Sequence, residues 1–242
     1  MAGNLETPRG DREERPGPPP TAEWLDADDL PQAEVERALA DLDTVYRWLL
    51  GRRVVRRTVL PLLPRGGRAR WLDLGSGGGH VGADLVRVAR RRGTALEVVE
   101  LDRKLGHLLA GRRRAGSRLQ VVAAAEALPF GDGSLHGSFS HLFFHHFDAA
   151  GNRRILGEME RVSRDWAVVV DLDRSWMCRT AARVLLRLLR LGPTAYHDGL
   201  VSVARSYRAL EVAEVVAGSR VVSLGRRFPC RWALVLRGGP QG

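Results

Sequence analysis

This 242-residue chain holds a single lysine, Lys104, against an excess of arginine that takes its formal charge to +10. It is also poor in aromatics, at 6%, and in cysteine, with only Cys178 and Cys230. Each scarcity excludes something. Basic surfaces bind phosphate backbones by releasing counterions, but the arginine clusters at 52–57, 87–92 and 112–118 lack interleaved aromatics on which bases could stack. Arginine in place of lysine, with abundant alanine, glycine and valine, is what a GC-rich coding sequence produces. A nucleic-acid partner is therefore not expected, and the charge reads as a solvated surface. The two cysteines give neither a metal-ligand spacing nor a disulfide framework. No apolar run approaches the ~20 residues of a membrane span, and the N-terminus lacks the apolar core of a signal peptide, so a cytoplasmic location is expected.

What is present suits one α/β domain with an appendage, since 44% apolar composition is ample for a buried core. Residues 1–22 combine charge, glycine and five prolines and read as a disordered tail. Residues 23–66 form a helical segment. Within it, Pro31 to Leu50 repeats Val35, Leu39, Leu42, Val45, Tyr46 and Leu49 at three and four residues, and Val54 to Leu63 continues helically until Pro64. Apolar runs at 70–74, 96–101, 119–123, 137–143 and 166–172 alternate with helical stretches, as in a parallel sheet covered on both faces. Residues 221–224 and 232–236 read as a terminal hairpin. Between the fifth strand and this hairpin lies an insertion, 174–210, with Val184, Leu185, Leu188, Leu189 and Leu191 on one face of an amphipathic helix and arginines on another. Two readings stand for it, a lid over a cleft and a helix docked on a membrane surface.

Residues 71–79, Trp-Leu-Asp-Leu-Gly-Ser-Gly-Gly-Gly, place an apolar strand before a turn built almost wholly of glycine, with a helix predicted from His80 to Arg92. Such a turn lets backbone N–H groups approach a ligand closely at a helix N-terminus. A dinucleotide fingerprint would need glycine at position 80, which is histidine, and a phosphate-binding P-loop would need Gly-Lys-Ser/Thr, which is absent. The remaining pattern, Asp73-x-Gly75-x-Gly77-x-Gly79, resembles motif I of the class I S-adenosylmethionine (SAM) methyltransferases. The resemblance continues in order through 125–134, through Ser140-His141-Leu142-Phe143-Phe144-His145-His146, and through Glu158-Met159-Glu160-Arg161-Val162 to Val168-Val169-Val170-Asp171, covering roughly 69–173.

The resemblance implies a Rossmann-like fold, a seven-stranded and mainly parallel sheet with a C-terminal antiparallel hairpin, and SAM as cofactor. It implies that Asp73, Gly75, Ser76, Gly77, Gly79, Leu101, Ala125, Glu126 and Ser140 hold the cofactor. A carboxylate at the end of strand two accepts ribose hydroxyls in such folds. Glu100 fits that role, and Asp102 fits an N-cap for the next helix. Two family acids are missing, with Ala124 at the end of strand three and His136 at the start of strand four.

Ligands of open α/β sheets lie beyond the carboxyl ends of the strands, where His145, His146 and Asp171 fall. Asp171 is expected to orient His145 as a general base, with His146 second; the bland reading is that the histidines only cap the strand. No metal site is expected, because methyl transfer needs none and alternate strand positions send His136, His141, His145 and His146 to opposite faces. Tyr46, and Tyr196 and His197 in a loop, are expected at the acceptor, although Asp198 and Gly199 equally suit a plain turn. The chain lacks the Pro-Pro-Tyr/Phe and Pro-Cys motifs that nucleic-acid base methyltransferases carry after strand four. It is most similar to small-molecule methyltransferases of quinone and secondary metabolism, including those beside bacterial type III polyketide synthases. A phenolic or polyketide hydroxyl is the expected acceptor, with carbon methylation second, a homodimer allowed, and a non-catalytic ligand- or partner-binding protein as the alternative.

Overall fold

The computed structural model describes residues 22–115 and 119–239; residues 1–21 of the expected tail lie outside the described residues. Seven strands, β1 (Arg68–Leu74), β2 (Ala95–Asp102), β3 (Leu119–Val122), β4 (Leu135–His141), β5 (Ser163–Leu172), β6 (Val221–Arg227) and β7 (Arg231–Arg237), form one sheet in the order β3-β2-β1-β4-β5-β7-β6. β7 runs antiparallel to both neighbours, and the other pairings are parallel. The chain leaves β1 for β2 on one side and returns to β4 on the other. A crevice therefore opens between these connections at the carboxyl ends of the strands.

Both faces of the sheet are buried, which is why the strands read as continuous apolar runs. On β5, Ala167 and Val169 face one core with Leu72, Leu74, Ile155, Met159 and Trp232, while Val168 and Val170 face the other with Trp71, Leu85, Phe139 and Val55. This two-residue alternation is dictated by the pleat. The helices are α1 (Gln32–Trp48), α2 (Gly51–Val59), α3 (His80–Arg91), α4 (Leu105–Ala115), α5 (Ala149–Val162), α6 (Trp176–Leu188), α7 (Pro193–Arg205) and α8 (Ala209–Val215). Local chemistry starts several of them. Asp148 accepts the Gly151 N–H at 2.7 Å to cap α5, a contact worth about 1 kcal/mol. Pro193 opens α7 at a position where its missing N–H costs nothing.

Two expectations change here. The insertion after β5 is three helices, α6 to α8, and Tyr196-His197-Asp198-Gly199 lies within α7, because a helix begun at Pro193 carries through the glycine. Cys178 on α6 and Cys230 at the start of β7 are joined as a disulfide, 52 residues apart. Their separation gives no spacing signal, and only the packing of α6 against the β6–β7 turn brings them together. Among the described residues, no helix is long and apolar enough to cross a membrane.

Candidate active site

A cavity of about 320 Å³ fills the crevice, bounded by the glycine turn, the ends of β2 and β3, the segment after β4, and the N-terminal helical segment. The turn is shaped by its glycines at two positions in particular. Gly77 sits at φ +52 under the Leu39 side chain of α1, and a Cβ on Gly75, at φ +67, would drive into the Phe143 ring. The Gly75 and Ser76 N–H groups donate to the Leu101 carbonyl, tying the turn to β2. Asp73, Gly75, Ser76, Gly77, Leu101, Ala125 and Glu126 all line the cavity. Gly79 and Ser140 do not: Gly79 is the residue before α3, and Ser140 is buried in the sheet, in register with Leu74.

Glu100 also faces elsewhere. It stands one pleat short of the strand end, in register with Asp73 and Gln120, and its carboxylate accepts the Gln120 amide at 3.0 Å. It lines a separate groove with Gly82, Arg87 and Val98. Asp102 takes the place expected of it: its Oδ2 accepts the Gly77 N–H at 2.9 Å, and its Oδ1 accepts the Lys104 N–H at 2.9 Å and lies 3.4 Å from His107. Burial pushes the Asp102 carboxyl up, but His107 and these N–H groups outweigh it and hold the carboxyl below its ordinary range. A charged acceptor therefore sits beside the glycine turn. Ala124 lies on the same wall between Ala123 and Ala125, whereas His136 accepts the Arg70 N–H at the far end of the sheet.

At the other end of the cavity, a 3-10 turn, Phe144–His146, follows β4. Because β4 and β5 are neighbours, His145 Nδ1 lies 2.8 Å from Asp171 Oδ1, and the His145 backbone N–H donates to Asp171 Oδ2 at 3.1 Å. The second ring nitrogen is engaged too. His145 Nε2 lies 3.2 Å from Glu23 Oε1, so the ring is not poised as an unoccupied base. Burial opposes a charge on His145, but Asp171 and Glu23 outweigh it and push the imidazole up to about 10. His146 Nδ1 lies 3.0 Å from Asp26 Oδ2, and its Nε2 lies 3.7 Å from Glu23 Oε2. Among the described residues, Glu23, His145 and His146 place donor atoms within 4.8 Å of one another. A 3-10 turn, unlike a strand, lets two consecutive histidines address one carboxylate. His141 stays apart, buried on β4 with its ring edge-on to Tyr46, and His136 is remote.

Glu23 and Asp26 arrive on an N-terminal 3-10 turn, Trp24–Asp26. Asp198 of α7 accepts the Trp24 N–H at 2.7 Å and the Leu25 N–H at 2.9 Å. Lys104 Nζ donates to the carbonyls of Asp26 and Ala27 and meets Asp28. Ser202 Oγ donates to Glu23 Oε1 at 2.8 Å. Of the residues expected at the acceptor, Tyr46 lines the cavity, but Tyr196 and His197 do not. Tyr196 packs against the Leu172, Cys178 and Ala182 cluster. His197 stacks on Trp24 at 4.3 Å between ring centroids and pairs with Asp198, so it supports the N-terminal turn from behind.

The residues present fit SAM. Among the described residues, four buried polar atoms on the cavity residues, Tyr46 Oη, Ser76 Oγ, His107 Nε2 and His141 Nε2, have no hydrogen-bond partner, an arrangement that is costly unless a ligand or water satisfies it. Asp102 would hold ribose hydroxyls, the Ala123–Ala125 wall and Leu101 the adenine, and the glycine turn with Asp73 the amino-acid end. Residues 72–170 match the family described as Methyltransferase domain. No curated protein sequence matches the chain. Its structure is similar to that of a SAM-dependent methyltransferase from Aquifex aeolicus (14% identity, 86% of this chain and 99% of that one, TM-score 0.58). It is also similar to a SAM-dependent methyltransferase from Methanosarcina mazei (14%, 76% and 98%, TM-score 0.54) and to human N-acetylserotonin methyltransferase in complex with SAM (10%, 86% and 57%, TM-score 0.59). The matched segment lies on the crevice-forming half of the sheet and carries the glycine turn, Asp102 and both histidines. The chain thus has the class I methyltransferase fold, and its residues 72–170 match a methyltransferase domain.

Proposed function

We propose that this protein transfers the methyl group of SAM to a hydroxyl of a small molecule, a phenol or a polyketide. The observation that carries the reading is one cavity with a cofactor-type glycine turn at one end and the Asp171–His145–Glu23–His146–Asp26 cluster at the other. SAM supplies an activated methyl on a sulfonium. The chain's own tasks are to align two reactants, exclude water and deal with the hydroxyl proton. Alignment falls to Asp102, the glycine turn and Tyr46. Water exclusion falls to α1, whose Leu39 covers Gly77, and to the 23–26 turn, with α6 and α7 completing a lid over 174–210.

Proton removal and charge stabilisation fall to the histidine cluster acting as a unit. Asp171 fixes the His145 ring and Asp26 fixes that of His146, and both rings meet at Glu23, facing the cavity. The structural neighbour named for N-acetylserotonin is an enzyme of a small molecule, in keeping with a cavity of this size.

The test is a SAM titration of the purified chain, followed by mass spectrometry of products formed from a panel of phenols and hydroxylated polyketides. The reading expects SAM binding and a gain of one methyl that survives base treatment as an aryl or alkyl ether. Methylation at carbon, or SAM binding without turnover on any hydroxyl, would overturn it.

A further inference from the structure

We propose that Glu23, His145 and His146 bind a divalent transition-metal ion whose remaining positions face the cavity and take the acceptor oxygen. Two imidazoles and one carboxylate on one side of an ion, with open positions opposite, form a recurrent ligand set for such metals. The donor atoms are already gathered. His145 Nε2 lies 3.2 Å from Glu23 Oε1, and His146 Nε2 lies 3.7 Å from Glu23 Oε2. Ligands at about 2.1 Å from one ion stand about 3.0–3.4 Å apart; the His145–Glu23 side already falls in that range, the His146–Glu23 side is a few tenths of an ångström longer, and the side between the histidines lies within 4.8 Å.

The outer contacts argue for a metal more strongly than the triangle does. A histidine that ligates through Nε2 characteristically gives its Nδ1–H to a carboxylate, which fixes the ring and its tautomer. Both histidines have this partner: Asp171 on His145 at 2.8 Å and Asp26 on His146 at 3.0 Å. The Glu23 carboxylate is steadied by Ser202 Oγ at 2.8 Å. Three carboxylates surround the two imidazoles, and with both rings neutral as ligands one divalent ion leaves that assembly with a single net negative charge. With two of three ligands imidazole, manganese, iron, cobalt or zinc suits the set better than magnesium or calcium.

The acceptor part of the proposal rests on the methyl-transfer reading above; the metal site itself does not. A hydroxyl bound to the ion is acidified by it. Its proton passes to water, the oxygen lone pair forms the new bond to the methyl carbon, and the carbon–sulfur bond breaks with its pair left on sulfur.

Full-length protein stripped with a chelator should be titrated with Co²⁺, reading visible d–d absorption and, after gel filtration, the metal content by mass spectrometry. One equivalent per chain is expected, with affinity weakened at least about 100-fold in Glu23→Ala and in His146→Asn. His146 is the more exposed histidine, so His146→Asn should leave the melting transition near that of wild type. SAM is titrated into the same samples. Wild-type protein that binds SAM but no cobalt, or cobalt binding that survives in both variants, overturns the metal site while leaving the methyl-transfer reading intact. Cobalt binding without SAM binding would instead sink that reading and retain the site.

Discussion

Asp102 and Gly77 are joined directly: the carboxylate at the end of β2 accepts the N–H at the centre of the glycine turn at 2.9 Å, and Asp102 lines the cavity. Asp102→Ala should therefore weaken SAM binding by about 1.5–3 kcal/mol, or roughly 10- to 150-fold, because a charged acceptor is lost. Glu100→Gln should leave the dissociation constant within about twofold, since Glu100 is engaged with Gln120 outside the cavity. Isothermal titration of both variants decides between the two acids, and the reverse ranking would return the ribose to Glu100.

Ala124 offers a gain of function. It lies on the cavity wall between Ala123 and Ala125, where the resemblance puts an acid. Ala124→Asp should tighten SAM by about 0.5–1.5 kcal/mol, up to roughly tenfold, through an added acceptor for the adenine amine. The gain should disappear with an analogue lacking that amine. Equal tightening of the amine-free analogue would mean that the adenine lies elsewhere.

The N-terminal turn depends on Asp198, whose two oxygens take the N–H groups of Trp24 and Leu25. Asp198→Ala strips both acceptors and should speed amide exchange over residues 23–27 by about tenfold or more, as expected for a local opening made roughly 1–3 kcal/mol easier. SAM affinity should change little, because the glycine turn and Asp102 are untouched. Hydrogen-exchange mass spectrometry reads the first effect; unchanged protection at 23–27 would show that Lys104 and Ser202 suffice to hold the turn.

Stability should fall on mild acidification through His141. Burial, with Arg231, His80 and His145 nearby, holds its imidazole well below the ordinary 6.5, so it is neutral in the folded protein. In the unfolded chain it gains a proton below about pH 6.5, so the stabilisation is complete above that pH and is lost at up to ~1.4 kcal/mol per unit below it. His141→Gln should melt less steeply with pH than wild type between 6.5 and 5.5. Parallel curves for the two proteins would discount His141.

The disulfide gives a further test. Closing a loop of 52 residues between Cys178 and Cys230 removes unfolded-state entropy worth up to about 4 kcal/mol. Cys178→Ser should lower the melting temperature under oxidising conditions and match wild type in excess thiol. A variant as stable as oxidised wild type would show that α6 is held by packing alone.

The strands were legible because both faces of the sheet are buried, so β1, β2, β4 and β5 stand out as apolar runs between helices. The meeting of His145 with Asp171 followed from the adjacency of two strands. Glu100 and Asp102 could not be separated in the same way. They are two residues apart on one face of β2, and only the exact end of the strand decides which reaches the glycine turn. Glu23 left no local signal at all: it stands on a short turn among prolines and charges, 122 residues before the histidine it contacts. The turn chemistry of His197-Asp198-Gly199 was overridden by a helix started at Pro193 and held by packing against α6.

Pinning the 23–26 turn to α7 has a consequence for how such a protein can be altered. The glycine turn, Asp102 and the Ala123–Ala125 wall lie between Asp73 and Glu126, while the other end of the cavity is closed by residues before Leu50 and by Ser202 of α7. The two outer pieces clasp one another through Asp198 and Ser202 across the unbroken central unit. On the proposed reading, exchanging them together between relatives should change acceptor choice and leave the donor end as it stands; exchanged singly, either one arrives without its fastening.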